Sequence, residues 1–320
     1  MRIALSFAAA LWLVAAPQVS AQNYPNKPVR MIVPFAPGGG TDIIGRLVAQ
    51  QLGERWGQTV VVDNRGGSGG IVGTKLATES APDGYTMVLC SLGVSYAPAL
   101  YSKLPFDPLK DLAPISRVAQ QPFVYVVIPA LGVNSMKELI AMAKSKPGQL
   151  RYGSGGAGGS SHLGTELLKV MTGIDMQHIP YKGTGPALTA MLGGEIQVQL
   201  IGISSVVPYL KTGRMTALAV SGARRSSAAP EIPTVAESGV PGYAFDVWYG
   251  MLFPAGVPRA LVRKVNADIN AVLVSQALAQ RFPALGVEPA GTTPEEFAAI
   301  LRSEIAKWRK VVKEAKISVQ

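Results

Sequence analysis

Two glycine-rich stretches, each between an apolar strand and a helix, hold the residues most able to do chemistry. The first runs from Val29 to Arg46 and reads VRMIVPFAPGGGTDIIGR. A strand enters the turn Pro34-Phe35-Ala36-Pro37, passes Gly38, Gly39 and Gly40, and opens a helix at Thr41-Asp42. Glycines lack Cβ, so their amides can approach a bound group closely. Thr41 is predicted as the N-cap, and the helix dipole places partial positive charge at the same spot. Strand, glycine loop and helix N-terminus together describe an anion site. A phosphate loop would carry Lys-Ser/Thr directly after its glycines, and Thr41-Asp42 stands there instead. The pattern favours a carboxylate over a nucleoside triphosphate. The second stretch, Gly153 to Gly159, follows the strand Leu150 to Tyr152 and feeds a helix from Ser161 to Thr172, so an anion-type loop occurs in each half of the chain.

Sharper chemistries fit these residues less well. Gly153 to Gly158 matches G-x-G-x-x-G, but a dinucleotide site wants an acid ending the next strand, and Asp175 begins it. Gly66-Gly67-Ser68-Gly69-Gly70 fits the nucleophile-elbow pattern. A hydrolase also needs a histidine base, and the chain has two histidines, His162 and His178. A secreted serine hydrolase using Ser68 is the alternative from another functional class. Two histidines without a cysteine or acidic cluster argue against a metal site, and no cofactor is expected. Several residues carry two readings. Asp42 meets a cationic group or stabilises the helix dipole, Thr184 is an N-cap or a ligand donor, and Trp248 and Tyr249 face core or cleft. Lys307, Arg309, Lys310 and Lys313 form a solvated face or meet a membrane partner.

The positioning elements follow from periodicity. The first helix spans Thr41 to Trp56, with apolar residues at Ile43, Ile44, Leu47, Val48 and Leu52, and a β-branched strand at Thr59 to Val62 comes next. A short helix from Ile71 to Ser80 and a strand from Tyr85 to Cys90 complete the first unit, ending in Ser91 to Ser95. Lys103 to Pro114 reads as irregular, and Phe123 to Pro129 as a buried strand. Further elements are a capping-box helix from Met136, strands at His178 to Tyr181, Ile196 to Ile201 and Thr216 to Val220, and a helix from Thr184 to Leu192. Beyond Pro230 come the strand Phe245 to Phe253, a helix from about Arg259 to Gln280, and a last helix capped by Thr293. Repeated strand, glycine loop and helix units imply mostly parallel sheets that bind ligands at the carboxyl ends of their strands.

Composition bounds the class. The chain has 320 residues, room for two domains, with 48% hydrophobic and 16% charged residues. Its net charge is +10, but the basic residues are dispersed without interleaved aromatics, which argues against nucleic-acid binding. Arg2, the apolar run Ile3 to Ala16 and Val19-Ser20-Ala21 fit a signal peptide over residues 1–21, giving an exported, periplasmic protein. Cys90 is the single cysteine, read as buried and inert.

Six stretches together carry a resemblance: YPNKPVRMIVPFAPGGGTDIIGR (24–46), VVDNRGGSGGIVG (61–73), APDGYTMVL (81–89), YGSGGAGGSSHLGTELL (152–168), HIPYKGTGPALTAMLGGEI (178–196) and PTVAESGVPGY (233–243). The chain resembles the Bug-type, TctC-like periplasmic solute-binding proteins of tripartite tricarboxylate transporters. That resemblance implies an α/β, two-domain periplasmic binding protein, a type II-like clamshell with mostly parallel sheets and helices on both faces. Residues 22–122 and 224–320 would form domain I and residues 123–223 domain II. One ligand carboxylate would be pinned between Phe35, Pro37, Gly38, Gly39, Gly40, Thr41 and Asp42 on one side and Ser154, Gly155, Gly156, Ala157, Gly158, Ser160, Ser161 and His162 on the other. Ser91, Ser95, Thr184, Ser204, Asp246 and Trp248 would meet the far end. Ile201 to Ser205 reads IGISS where members of that family often carry Asp, which leans toward a less polar ligand tail. Expected partners are a small carboxylate and membrane permease subunits, with a signalling partner as the alternative; a monomer is expected.

Overall fold

The computed structural model describes residues 24–314 and residue 317; the predicted signal peptide lies outside the described residues. Strand β1 (Val29–Val33) is buried except at Arg30, whose side chain donates to Asp63 of the next strand at 2.8 Å, and it pairs in parallel with β2 (Val60–Asn64) and β3 (Thr86–Ser91). Between β1 and β2 runs α1 (Gly40–Trp56), which buries Ile44, Val48 and Leu52 at four-residue spacing and stops at left-handed Gly57 (φ +61°). α2 (Ile71–Thr78) follows β2, and α3 (Gly93–Leu100) follows β3. The segment from Ser91 to Ser95, read as the end of the first unit, therefore carries the chain from β3 into the first turn of α3.

Strand β4 (Leu112–Val127) is the pivot of the architecture. Leu112 to Pro122 pair antiparallel with β9 (Asp246–Pro254), and from Phe123 onward β4 pairs antiparallel with β7 (Val198–Gly202) and β8 (Thr216–Val220). It begins inside the stretch read as irregular. Three prolines, Pro108, Pro114 and Pro122, mask the strand signal, although a bulge and the strand's change of partner accommodate the last two.

The second lobe contains α4 (Met136–Ser145), β5 (Arg151–Ser154), α5 (Ser160–Thr172), β6 (Gln177–Pro180), α6 (Thr184–Leu192) and α7 (Val207–Lys211). β5 lies between β6 and β7 and is parallel to both. Parallel pairing thus holds inside each lobe, while the crossover strands run antiparallel, giving the path β2-β1-β3-β9-β4-β7-β5-β6. After β9 come α8 (Arg259–Leu273), α9 (Gln276–Ala284), the two-residue β10 (Glu288–Pro289) and α10 (Pro294–Glu314). The helix read as continuous to Gln280 breaks where Ser275 caps α9 by accepting from Leu278 N.

Helices cover both faces of the sheet. In β9, successive residues Trp248 and Tyr249 point oppositely. Trp248 meets Phe297 of α10 edge-on at 5.4 Å, while Tyr249 lies beside Gly40 of α1. Cys90 is buried, and burial pushes its thiol up to about 12, which leaves it unreactive.

Ser221 ties the two crossovers together. Its hydroxyl accepts from Phe123 N (2.9 Å) and donates to Phe245 O (2.6 Å), and it is fully buried. Ser221→Ala leaves the Phe123 amide without that acceptor, so stability should fall by about 1–3 kcal/mol. Urea denaturation would measure it, and a change within experimental error would show that Ser221 does not hold the crossovers.

Candidate functional site

Three helix N-termini meet where the lobes touch. A helix leaves the amides of its first turn without helical acceptors. In α1 the first amide to find a carbonyl is Ile43 N, which donates to Gly39 O at 3.0 Å, leaving those of Gly40, Thr41 and Asp42. In α5 it is Leu163 N, donating to Gly159 O at 3.0 Å, which leaves Ser160, Ser161 and His162. In α6 it is Ala187 N, donating to Gly183 O at 3.5 Å, which leaves Thr184 and Gly185. The N-caps are Gly39, Gly159 and Gly183, and none makes a side-chain capping bond. Thr41 and Thr184 are thus first-turn residues rather than N-caps.

A cavity of about 20 Å³ lies among these ends. One lobe supplies Phe35, Gly39, Gly40, Thr41, Ser91 and Tyr249; the other supplies Gly155, Gly159, Ser160, Ser161 and Thr184; Phe123 closes it at the crossover. Phe123 was not anticipated; Tyr249 carried two readings, of which the structure gives the cavity-facing one, and Gly159 lay within the second glycine loop without being singled out. Period-two alternation signals that only one of Trp248 and Tyr249 can face the cavity, without saying which.

Several interior amides of the two loops are already bonded, which corrects the expectation that the loops are open donors throughout. Gly38 N donates to Asp42 Oδ2 at 3.0 Å. The Asp42 carboxylate also accepts from Arg46 Nε (3.1 Å) and Asn64 Nδ2 (2.9 Å), so it braces the loop instead of meeting a ligand. Gly155 N donates to Ser161 Oγ (2.9 Å), Gly156 N to Ser154 Oγ (3.1 Å) and Gly158 N to His162 Nδ1 (3.1 Å).

Other expected contacts belong to the seam between lobes. Ala157 O accepts from Tyr101 Oη at 2.8 Å, Gly156 abuts Gly69, Gly158 lies under the Tyr101 ring, and Pro37 and Gly38 face Gly185. Ala36 N donates across the seam to Lys182 O at 2.9 Å. Ser204 sits near Gly40, with its hydroxyl buried and unpartnered. Ser95 donates to Leu92 O and lies within α3's first turn. Trp248 packs away from the cavity, as described. Asp246 lines a different, hinge-side crevice of about 510 Å³ with Arg224, Arg225 and Glu288.

Behind the second loop, His162 and His178 stack at 4.1 Å with Tyr152 alongside His178 at 4.9 Å. Ser154 Oγ lies 2.6 Å from His178 Nε2, but Ser154 is fully buried and also receives the Gly156 amide, so the pair anchors the loop to β6. Burial, then the neighbouring His162 and Lys169, hold His178 down at about 3; burial also lowers His162. Ser68 is exposed with φ +46°, and no hydrogen bond joins it to either histidine among the described residues.

Two α/β lobes joined by antiparallel crossovers, with helix N-termini facing one cavity, define a two-domain periplasmic binding protein. The chain belongs to the tripartite tricarboxylate transporter receptor family, TctC, whose profile matches residues 44–317. It is 39% identical to Protein BugT of Bordetella pertussis over 303 residues, covering 94% of this chain and 93% of that protein. The structure of R. palustris Rpa4515 with adipate superposes with a TM-score of 0.89 at 35% identity, covering 92% of this chain and 99% of that one. MatC (Rpa3494) from Rhodopseudomonas palustris, with bound malate, gives 0.85 at 30% identity, covering 90% and 100%. The family and these neighbours are solute-binding proteins.

The histidine pair makes stability pH-dependent. In the unfolded chain His178 takes up a proton near its ordinary 6.5, whereas in the folded protein it does so only near 3. Between those values the unfolded state binds more protons, so stability is full above about pH 6.5 and falls as pH drops. The expected loss is on the order of 1 kcal/mol per pH unit. Denaturation at pH 7 and pH 4.5 should show a shallower dependence in His178→Gln; equal slopes in the two proteins would disprove the assignment.

Proposed function

We propose that the protein is a periplasmic receptor that captures a small carboxylate between its lobes and delivers it to a tripartite tricarboxylate-type permease. The observation that carries this reading is the convergence of α1 from one lobe with α5 and α6 from the other on a single cavity. A carboxylate accepts from several first-turn amides at once and suits the positive ends of the helix dipoles. Among the described residues no Lys, Arg or Asp lines that cavity, so neutral donors do the recognising. The adipate of Rpa4515 and the malate of MatC, both dicarboxylates, support the ligand class.

A cavity of about 20 Å³ holds roughly one water. A dicarboxylate therefore enters an opened form, and the lobes, 22–122 with 224–320 and 123–223, hinge about β4 and the return to β9. No reaction is part of this cycle, and the ligand leaves unchanged. The hydrolase alternative loses support because Ser68 has no histidine partner and His178 is too weak a base near neutral pH.

A thermal-shift panel of dicarboxylates, tricarboxylates and aromatic acids tests the proposal. A true ligand at a hundredfold over its Kd adds about 2.7 kcal/mol of stability. Gly39→Val should remove that response while the ligand-free protein still folds. A Cβ there would collide with Thr184 Oγ1 across the lobes, and Gly39 already has an ordinary extended backbone. No shift with any acid, or an undiminished shift in Gly39→Val, would refute the site.

A further inference from the structure

Beside the anion cavity the crossover strands leave three polar side chains buried and incompletely bonded at one spot. Gln121 of β4, 1% exposed, donates through Nε2 to the Tyr249 hydroxyl of β9 at 2.6 Å, and its Oε1 has no partner. Turning the amide over exchanges the two atoms but still leaves one unpaired. Ser204, 4% exposed and just beyond β7, has a hydroxyl with no partner among the described residues. A Cβ built on Gly40 would lie 2.7 Å from Gln121 Nε2, 2.9 Å from Tyr249 Oη and 3.6 Å from Ser204 Oγ. All three therefore surround the first residue of α1, which is itself on the cavity wall. Buried polar groups are, as a rule, hydrogen-bonded; of these three, Tyr249 lines the cavity, and Gln121 and Ser204 stand behind Gly40 and Tyr249.

The geometry points to Gln121, Tyr249 and Ser204 as the set that reads a hydroxyl on the carbon next to the anchored carboxylate, so that the receptor favours a 2-hydroxy acid. This rests on the reading of the cavity as a carboxylate site. A hydroxyl both donates and accepts, so it satisfies the unpaired Gln121 atom in either amide orientation and takes a bond from Tyr249 or Ser204. A methylene at the same place leaves those groups unpaired. An ammonium needs an anionic partner when it is taken out of water. The acid in the first turn of α1, Asp42, is committed to Gly38, Arg46 and Asn64, and no other carboxylate lines the cavity among the described residues. Sites built to hydrogen-bond a hydroxyl reject analogues that lack it far more strongly than apolar pockets reject a size change.

Calorimetric titration with matched acids of four, five and six carbons tests the inference. The probes are succinate, malate and aspartate; glutarate, 2-hydroxyglutarate and glutamate; and adipate, 2-hydroxyadipate and 2-aminoadipate. Within any set that binds, the hydroxy acid should be tightest by about tenfold or more. Gln121→Leu and Tyr249→Phe, on separate strands, should each bring the hydroxy-to-unsubstituted ratio to within about threefold of one. Circular dichroism on both variants identifies either one that fails to fold. An unsubstituted or amino acid binding tightest, or a ratio that survives in a folded variant, overturns the inference and leaves the carboxylate site standing. Binding by none of the nine acids overturns both.

Discussion

An α-helix cannot bond the amides of its own first turn, and this protein aims three such ends at one another across the junction of its lobes. Each carries the equivalent of about half a positive charge. Bringing α1, α5 and α6 together concentrates that charge in a cavity of about 20 Å³, so the closed arrangement gains from an anion between them. On the proposed reading closure and capture are one event: the donors lie on separate lobes, and an anion held by one lobe alone would meet only part of the set. The fold's remaining features bring these ends to the same point and, among the described residues, leave no charged side chain on the cavity lining.

Glycines make the close approach possible, and side chains fix the loops that contain them. At the seam Gly66 lies against Lys182 O and Ala36, and Gly156, at φ +125°, lies against Gly69. A side chain at Gly156 would be strained before any contact was considered. Within the loops, Asp42, Ser154, Ser161 and His162 take up the amides of Gly38, Gly156, Gly155 and Gly158. The loops are thereby preorganised, and less ordering is left for the moment of binding. The first-turn amides stay unbonded within their helices, and their number and direction are set by the helices, not by flexible backbone.

The strand–loop–helix units were legible because two periodicities alternate around glycine runs. That is enough to place a glycine loop and a helix N-terminus in each half of the chain, while their sharing one site was implied only by the resemblance to a known family. It is not enough to say which amide is free. Gly38 and Gly40 look alike in sequence, yet Asp42 occupies one amide and leaves the other, because that choice depends on where a side chain four residues away folds back. α3 was hidden by Gly93 and Pro98 inside an apolar run, and β4 by its prolines. Asp246 and Trp248 were misplaced for a tertiary reason: the face of β9 is decided by what packs on each side of the sheet. Gln121 carried no local signal, since its importance arises from the crossing of two strands far apart in the chain.

A receptor that must also release its cargo gains from neutral recognition. The formal charge of +10 is dispersed along the sequence, and salt screens exposed charges beyond about 8 Å, so it assists the approach of anions without fixing any of them. A lysine or arginine inside the cavity would hold a carboxylate through desolvated charge and lose that contact only at great cost on opening. Helix amides act differently. In the proposed cycle their contribution is assembled by closure and dismantled when the lobes part, since α1 belongs to one lobe and α5 and α6 to the other. A partner that pries the lobes open would therefore remove most of the binding energy without having to compete for the ligand.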